Sequence, residues 1–137
     1  LSKLSNSQLN AFDEWLFDYR DIEKKIALRK LELQTPVSTD INVGGGKANQ
    51  VSRETEDVIV RWSKDGRLNS YENFKASVVR MINTLDHELT DIFNLRWGVG
   101  SSNTWEEIAY KMHISRAGIY RKRERILTIF AEEIGKL

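Results

Sequence analysis

At 137 residues, with 40% hydrophobic and 30% charged side chains, the chain has the make-up of one ordinary domain or of a small domain with an extension. No apolar run approaches the roughly 20 residues that cross a bilayer and no stretch reads as a signal peptide, so neither a membrane partner nor export is expected. The absence of cysteine excludes disulfides and thiolate metal sites and makes a cytoplasmic location the default. The first residue, Leu1, reads as a processed or trimmed start. A net charge of +1 conceals a segregated distribution. Lys111, Arg116, Arg121, Lys122, Arg123 and Arg125 crowd one stretch opposed only by Glu124, while the remainder is slightly acidic. Such a cluster is either a nucleic-acid face or a solvated helix face.

The helical period recurs throughout and strand signals are nearly absent, so the expected fold class is all-α. Residues 1–34 read as one long N-terminal helix from Leu4 to Leu33. Ser5 and Gln8 supply a capping box, and Leu4 and Leu9 have the spacing of a hydrophobic staple. Leu9, Phe12, Leu16, Tyr19 and Ile26 form an apolar stripe that must be covered, by the rest of the chain or by a second copy in a homo-oligomer. Residues 35–52, with Pro36 and Gly44–Gly46, read as a Gly-rich loop or linker that stops the first helix. Gly46-Lys47 is not a phosphate loop: the position five residues before Gly46 holds Ile41, Ala48 follows the lysine, and no strand precedes it.

Residues 53–84 form a helical connector. Ser52 is the expected cap of a helix that Asp65-Gly66 ends, and Asn69 with Glu72 is the expected start of the next. Residues 85–137 form the C-terminal domain. Asp86 caps a helix ending at Trp97-Gly98, and a loop follows. Thr104 and Glu107 then make a second capping box for a short helix to Met112, His113-Ile114-Ser115 is a turn, and Ser115 caps a helix from Arg116 to about Ile134. Short helix, three-residue turn and capped second helix, with Ala109, Ile114 and Ile119 inward, match a helix-turn-helix.

In that motif the second helix enters the major groove of double-stranded DNA by its N-terminal end, which makes Arg116, Ala117, Tyr120 and Arg121 the base-contact candidates. Thr104, Lys111, Ser115, Lys122, Arg123 and Arg125 are the phosphate-contact candidates. Gly118 implies close packing or close approach to DNA. His87 stands alone at a helix start and His113 suits a turn, so no metal and no cofactor are expected. No nucleophile–base or paired-carboxylate arrangement is visible, and an enzyme is not expected.

On these residues the chain resembles the phage transcriptional regulators called the RinA and ArpU families. The resemblance is carried by Tyr19-Arg20 and Ile22-Glu23, the Asp40-x-Asn42-x-Gly44-Gly45-Gly46-x-x-Asn49 loop, Arg67-Leu68, Trp105-x-x-Ile108-Ala109, Ile114-Ser115, Tyr120-Arg121-x-Arg123 and Phe130-Ala131. It implies control of late or packaging genes, as an activator, at the nucleoid of a bacterial host. From Leu85 onward the chain is also similar to region 4 of bacterial sigma factors, which implies a four-helix DNA-binding unit and contact with host RNA polymerase. Two other readings are compatible with the sequence: a small-terminase-like protein that recognises a packaging site, and a helical interaction module that does not bind DNA.

Overall fold

The computed structural model describes residues 3–34 and 47–137, and for 47–52 the backbone alone. The order is α1 (Asn6–Leu16), a 3-10 turn (Phe17–Asp21), α2 (Ile22–Gln34), α3 (Lys47–Lys64), α4 (Gly66–Thr84), α5 (His87–Trp97), α6 (Trp105–Met112) and α7 (Arg116–Glu133). The fold is all-α. No helix among the described residues is long and apolar enough to cross a membrane. The chain divides into two compact units, one of Leu1–Asp21 with Phe74–Leu137 and one of Ile22–Asn73. The segment expected as one long helix is divided between these units, α1 belonging to the first and α2 to the second, and α4 runs through their boundary.

The caps account for most of the helix starts. The Ser5 hydroxyl accepts from the Gln8 amide at 3.1 Å, and the Gln8 side chain accepts from the Ser5 amide at 2.9 Å. Asp86 accepts from the Leu89 amide at 2.8 Å, and Ser115 accepts from that of Gly118 at 3.0 Å. Two starts differ from expectation. α4 begins at Gly66 because Asp65 caps it, accepting from the Leu68 amide at 2.8 Å. Asn69 lies inside that helix, and its amide donates to the Ser63 carbonyl. α3 begins at Lys47, so Ser52 falls within a helix whose opening Lys-Ala-Asn-Gln is compatible with helical backbone. The glycine-rich segment and Pro36 lie outside the described residues; α2 ends at Gln34.

The expected long first helix is broken at Phe17–Asp21. The break has a use, since it carries Arg20 to the end of α5. Its guanidinium donates to the carbonyls of Trp97 and Arg96, each at 3.1 Å, and to that of Ser101. A cation thereby satisfies the unpaired carbonyls that every helix leaves at its C-terminus. The Phe17 ring lies beneath both Arg20 (4.8 Å) and Arg96 (4.9 Å).

The core of the first unit centres on Phe130, fully buried, with Phe12 and Phe74 meeting it edge-on at 5.8 and 6.1 Å. Around it lie Leu9 and Leu16 of α1, Val78 and Met81 of α4, Ile92 and Trp97 of α5, Ile108 of α6, and Ile119, Ile126 and Leu127 of α7. The stripe proposed as an oligomer seam is therefore interior. Leu9, Phe12 and Leu16 are buried in this core, Tyr19 packs against it, and Ile26 is buried in the other unit. In that unit Arg29 forks onto Asp65 at 2.7 and 2.9 Å, and the Trp62 indole donates to the Lys30 carbonyl at 3.2 Å.

Candidate nucleic-acid interface

The turn between α6 and α7 is made by local chemistry. Thr104 and Glu107 close the capping box at the start of α6, in bonds of 3.1 and 3.3 Å. At its end His113 takes the left-handed conformation (φ 56°, ψ 44°), the one non-glycine residue with positive φ among those described. The Ile114 amide then reaches back to the Ala109 carbonyl at 2.9 Å and the His113 amide to that of Tyr110 at 3.3 Å. This is a Schellman closure with histidine where glycine is commonest. Ser115 follows in extended backbone and starts α7. Gly118, buried one turn on, packs so closely that a Cβ would stand 2.9 Å from both Ile114 Cγ2 and Ser115 Oγ. Close packing, rather than room for a ligand, accounts for this glycine.

The basic cluster divides on inspection of its partners. Arg123 is not a free cation. Its side chain is 12% exposed and donates to Asp13 Oδ2 and to Asn10 Oδ1, both at 3.0 Å. Asp13 is itself buried, and it also accepts from Arg96 (3.1 Å) and from the Trp105 indole (2.8 Å), while its carbonyl accepts from Trp97 (2.9 Å). The carboxylate so ties α1 to α5, α6 and α7, and the phosphate role expected of Arg123 gives way to a structural one. Lys122 pairs with Glu88 of α5, and Lys111 donates to Asn103 at 2.8 Å.

Tyr120 is also engaged. It is half-buried, and its hydroxyl donates to Glu106 Oε1 at 2.7 Å. That bond holds the Glu106 carboxyl below its ordinary range and pushes the phenol up. Arg116 and Arg123 each lie 6.0 Å from the Tyr120 ring centre. Arg116 is 79% exposed and approaches Glu106 only to 3.9 Å. At Thr104 the capping box occupies the first-turn groups, and Glu106 and Glu107 add negative charge, so this end repels a phosphate.

Arg121 and Arg125 remain exposed, and neither pairs with a carboxylate among the described residues. With Ala117 they recur every four residues, one stripe along α7. The stripe borders an open groove of about 730 Å³ whose lining includes Lys3, Lys122, Thr128 and Ile129 and also two carboxylates, Glu124 and Glu132. Two partners in this region were missed in the sequence. Asp13 had a signal: with Leu9, Phe12 and Leu16 it completes the 0, 3, 4, 7 spacing of a buried face, where a carboxylate requires a partner. Glu106 had none, because its bond to Tyr120 spans the turn.

The molecule is thus an all-α protein ending in a helix–turn–helix whose second helix exposes Arg121 and Arg125. Residues 9–132 match the model of the family DUF722, described as "Protein of unknown function", and the chain belongs to that family. No curated protein and no solved structure matches the chain.

Proposed function

We propose that the chain is a sequence-specific DNA-binding transcriptional regulator that reads duplex DNA with the exposed N-terminal half of α7. The observation that carries this reading is the outward stripe of Ala117, Arg121 and Arg125, flanked by Arg116, on the second helix of a helix–turn–helix. The opening turn of α7 has no acid and begins with Arg116, so a cation stands at the positive end of a helix dipole. That arrangement works against the helix by about 0.3–1 kcal/mol. Glu106 approaches this exposed cation only to 3.9 Å, and a phosphate or a base-edge acceptor would meet it as well. The resemblance to RinA and ArpU regulators directs the proposal to phage or prophage late or packaging genes, with activation as the sign.

Selection of bound duplexes from a random library at about 0.15 M salt tests the reading, since screening at that strength weakens non-specific attraction. The wild type is expected to enrich a defined motif. Arg121→Ala, still folded by circular dichroism, is expected to lose affinity by about 1–3 kcal/mol and relax preference at one position. Two spaced half-sites would add a dimer on DNA, whose contact surface would then lie outside the buried Leu9–Leu16 stripe. No enriched motif, with the two proteins alike, would overturn the proposal.

A further inference from the structure

The surroundings of α7 also narrow which bases it reads, an inference that rests on the DNA-reading role proposed above. Of the four outward positions in its first two turns, Tyr120 is bonded to Glu106 and Arg116 faces the same carboxylate at 3.9 Å. Ala117 and Arg121 are exposed, and Arg121 has no carboxylate partner among the described residues. They lie one turn apart, about 6 Å along the helix axis at 1.5 Å per residue. That distance matches about two base-pair steps of 3.4 Å.

The chemistry of the pair is selective. A guanidinium matches N7 and O6 of guanine as two parallel acceptors, and a small methyl side chain matches the C5 methyl of thymine. Residues 116–123 hold no Asn or Gln to fork onto adenine and no Asp or Glu to accept from cytosine. Of the nearby carboxylates, Glu106 is occupied by Tyr120 and Glu124, one residue beyond this stretch, pairs with Lys3 at 4.0 Å. We propose that α7 reads a thymine and a guanine within about two base pairs of each other, Ala117 packing on the thymine methyl and Arg121 bonding the guanine.

Atom-level changes in the duplex test this. The probe is the duplex selected by the full chain, made also with 7-deazaguanine at the enriched guanine and, separately, with uracil at the enriched thymine. The first removes N7 and is expected to weaken the wild type about tenfold, one bond of a bidentate pair. The second removes one methyl and is expected to weaken it about threefold, near the worth of one buried carbon. Arg121→Ala should be indifferent to the 7-deaza change and Ala117→Gly to uracil, each variant keeping its response to the other change. A selected motif lacking either base, or variants as sensitive as wild type, would overturn this assignment and leave DNA reading intact. No selected motif at all would overturn both.

Discussion

Arg121 and Arg123 stand two residues apart on α7, carry the same charge and face opposite ways. Arg123 lies inward, 12% exposed, bonded to Asp13 and Asn10 of α1 and close to the Trp105 and Tyr120 rings. Arg121 is exposed and unpaired with any carboxylate among the described residues. A guanidinium in a buried network cannot turn to a phosphate without leaving its carboxylate unpaired, so it is unavailable to a ligand. One cluster of positive charge therefore contains two populations, one holding the fold and one facing solvent. The N-termini of α6 and α7 repeat the contrast. Both carry a hydroxyl cap, but α6 has Glu106 and Glu107 in its first turn, while α7 has Arg116 and no acid. α6 follows the helix dipole and α7 opposes it.

Asp13 is the residue on which the inner arginines depend. Asp13→Ala leaves Arg96 and Arg123 desolvated without their carboxylate and the Trp105 indole without its acceptor. Truncating one member of such a network is expected to cost about 3–5 kcal/mol. Urea unfolding followed by circular dichroism measures it; a loss below about 1 kcal/mol, the scale of a surface ion pair, would mean that the inner arginines are not structural. Gly118→Ala should come next. In an open helix this change stabilises by up to about 1 kcal/mol. Here the added Cβ meets Ile114 Cγ2 and the capping Ser115 Oγ at 2.9 Å, and a net loss of about 1–2 kcal/mol is expected. Stabilisation by the same substitution would show that the turn yields easily. Arg121→Ala should leave unfolding within about 0.5 kcal/mol of wild type, so that any change in DNA affinity reports contact rather than folding.

Features made by residues three or four apart were legible in the sequence. The capping boxes at Ser5 and Thr104, the caps at Asp86 and Ser115, and a turn through His113 all depend on near neighbours. The α4 start was misplaced because Asp65 and Asn69 are both acceptable caps, and helix phase did not decide between them. The division of the basic cluster was illegible for a different reason. Arg123 and Asp13 are 110 residues apart, and which arginine of a Tyr-Arg-x-Arg run meets a distant carboxylate depends on how α1 packs across α7. The N-terminal stripe was legible as apolar but not as interior, because periodicity says that a face is covered without saying by what.

A second aspartate–arginine pair sharpens the contrast from the other unit. Asp65 accepts both bonds of the Arg29 fork, and its carboxyl is held down to about 2, first by that guanidinium and then by the Leu68 amide. An unfolded aspartate titrates near 4. Because the folded value lies below the unfolded one, the pair's contribution is complete above about pH 4 and is lost as the pH falls through about 2. Asp65→Asn removes the charge while keeping an oxygen for the Leu68 amide. The variant should melt below wild type at pH 6, and the gap should close between about pH 4 and about pH 2 in melts followed by circular dichroism. A gap that stays constant across that range would mean that the charge on Asp65 adds nothing to stability, whether through Arg29 or through the cap of α4. Closure would show that the charge on Asp65, held by Arg29 and by the Leu68 amide together, is what stabilises this unit, in a pair more open to water than the one around Asp13.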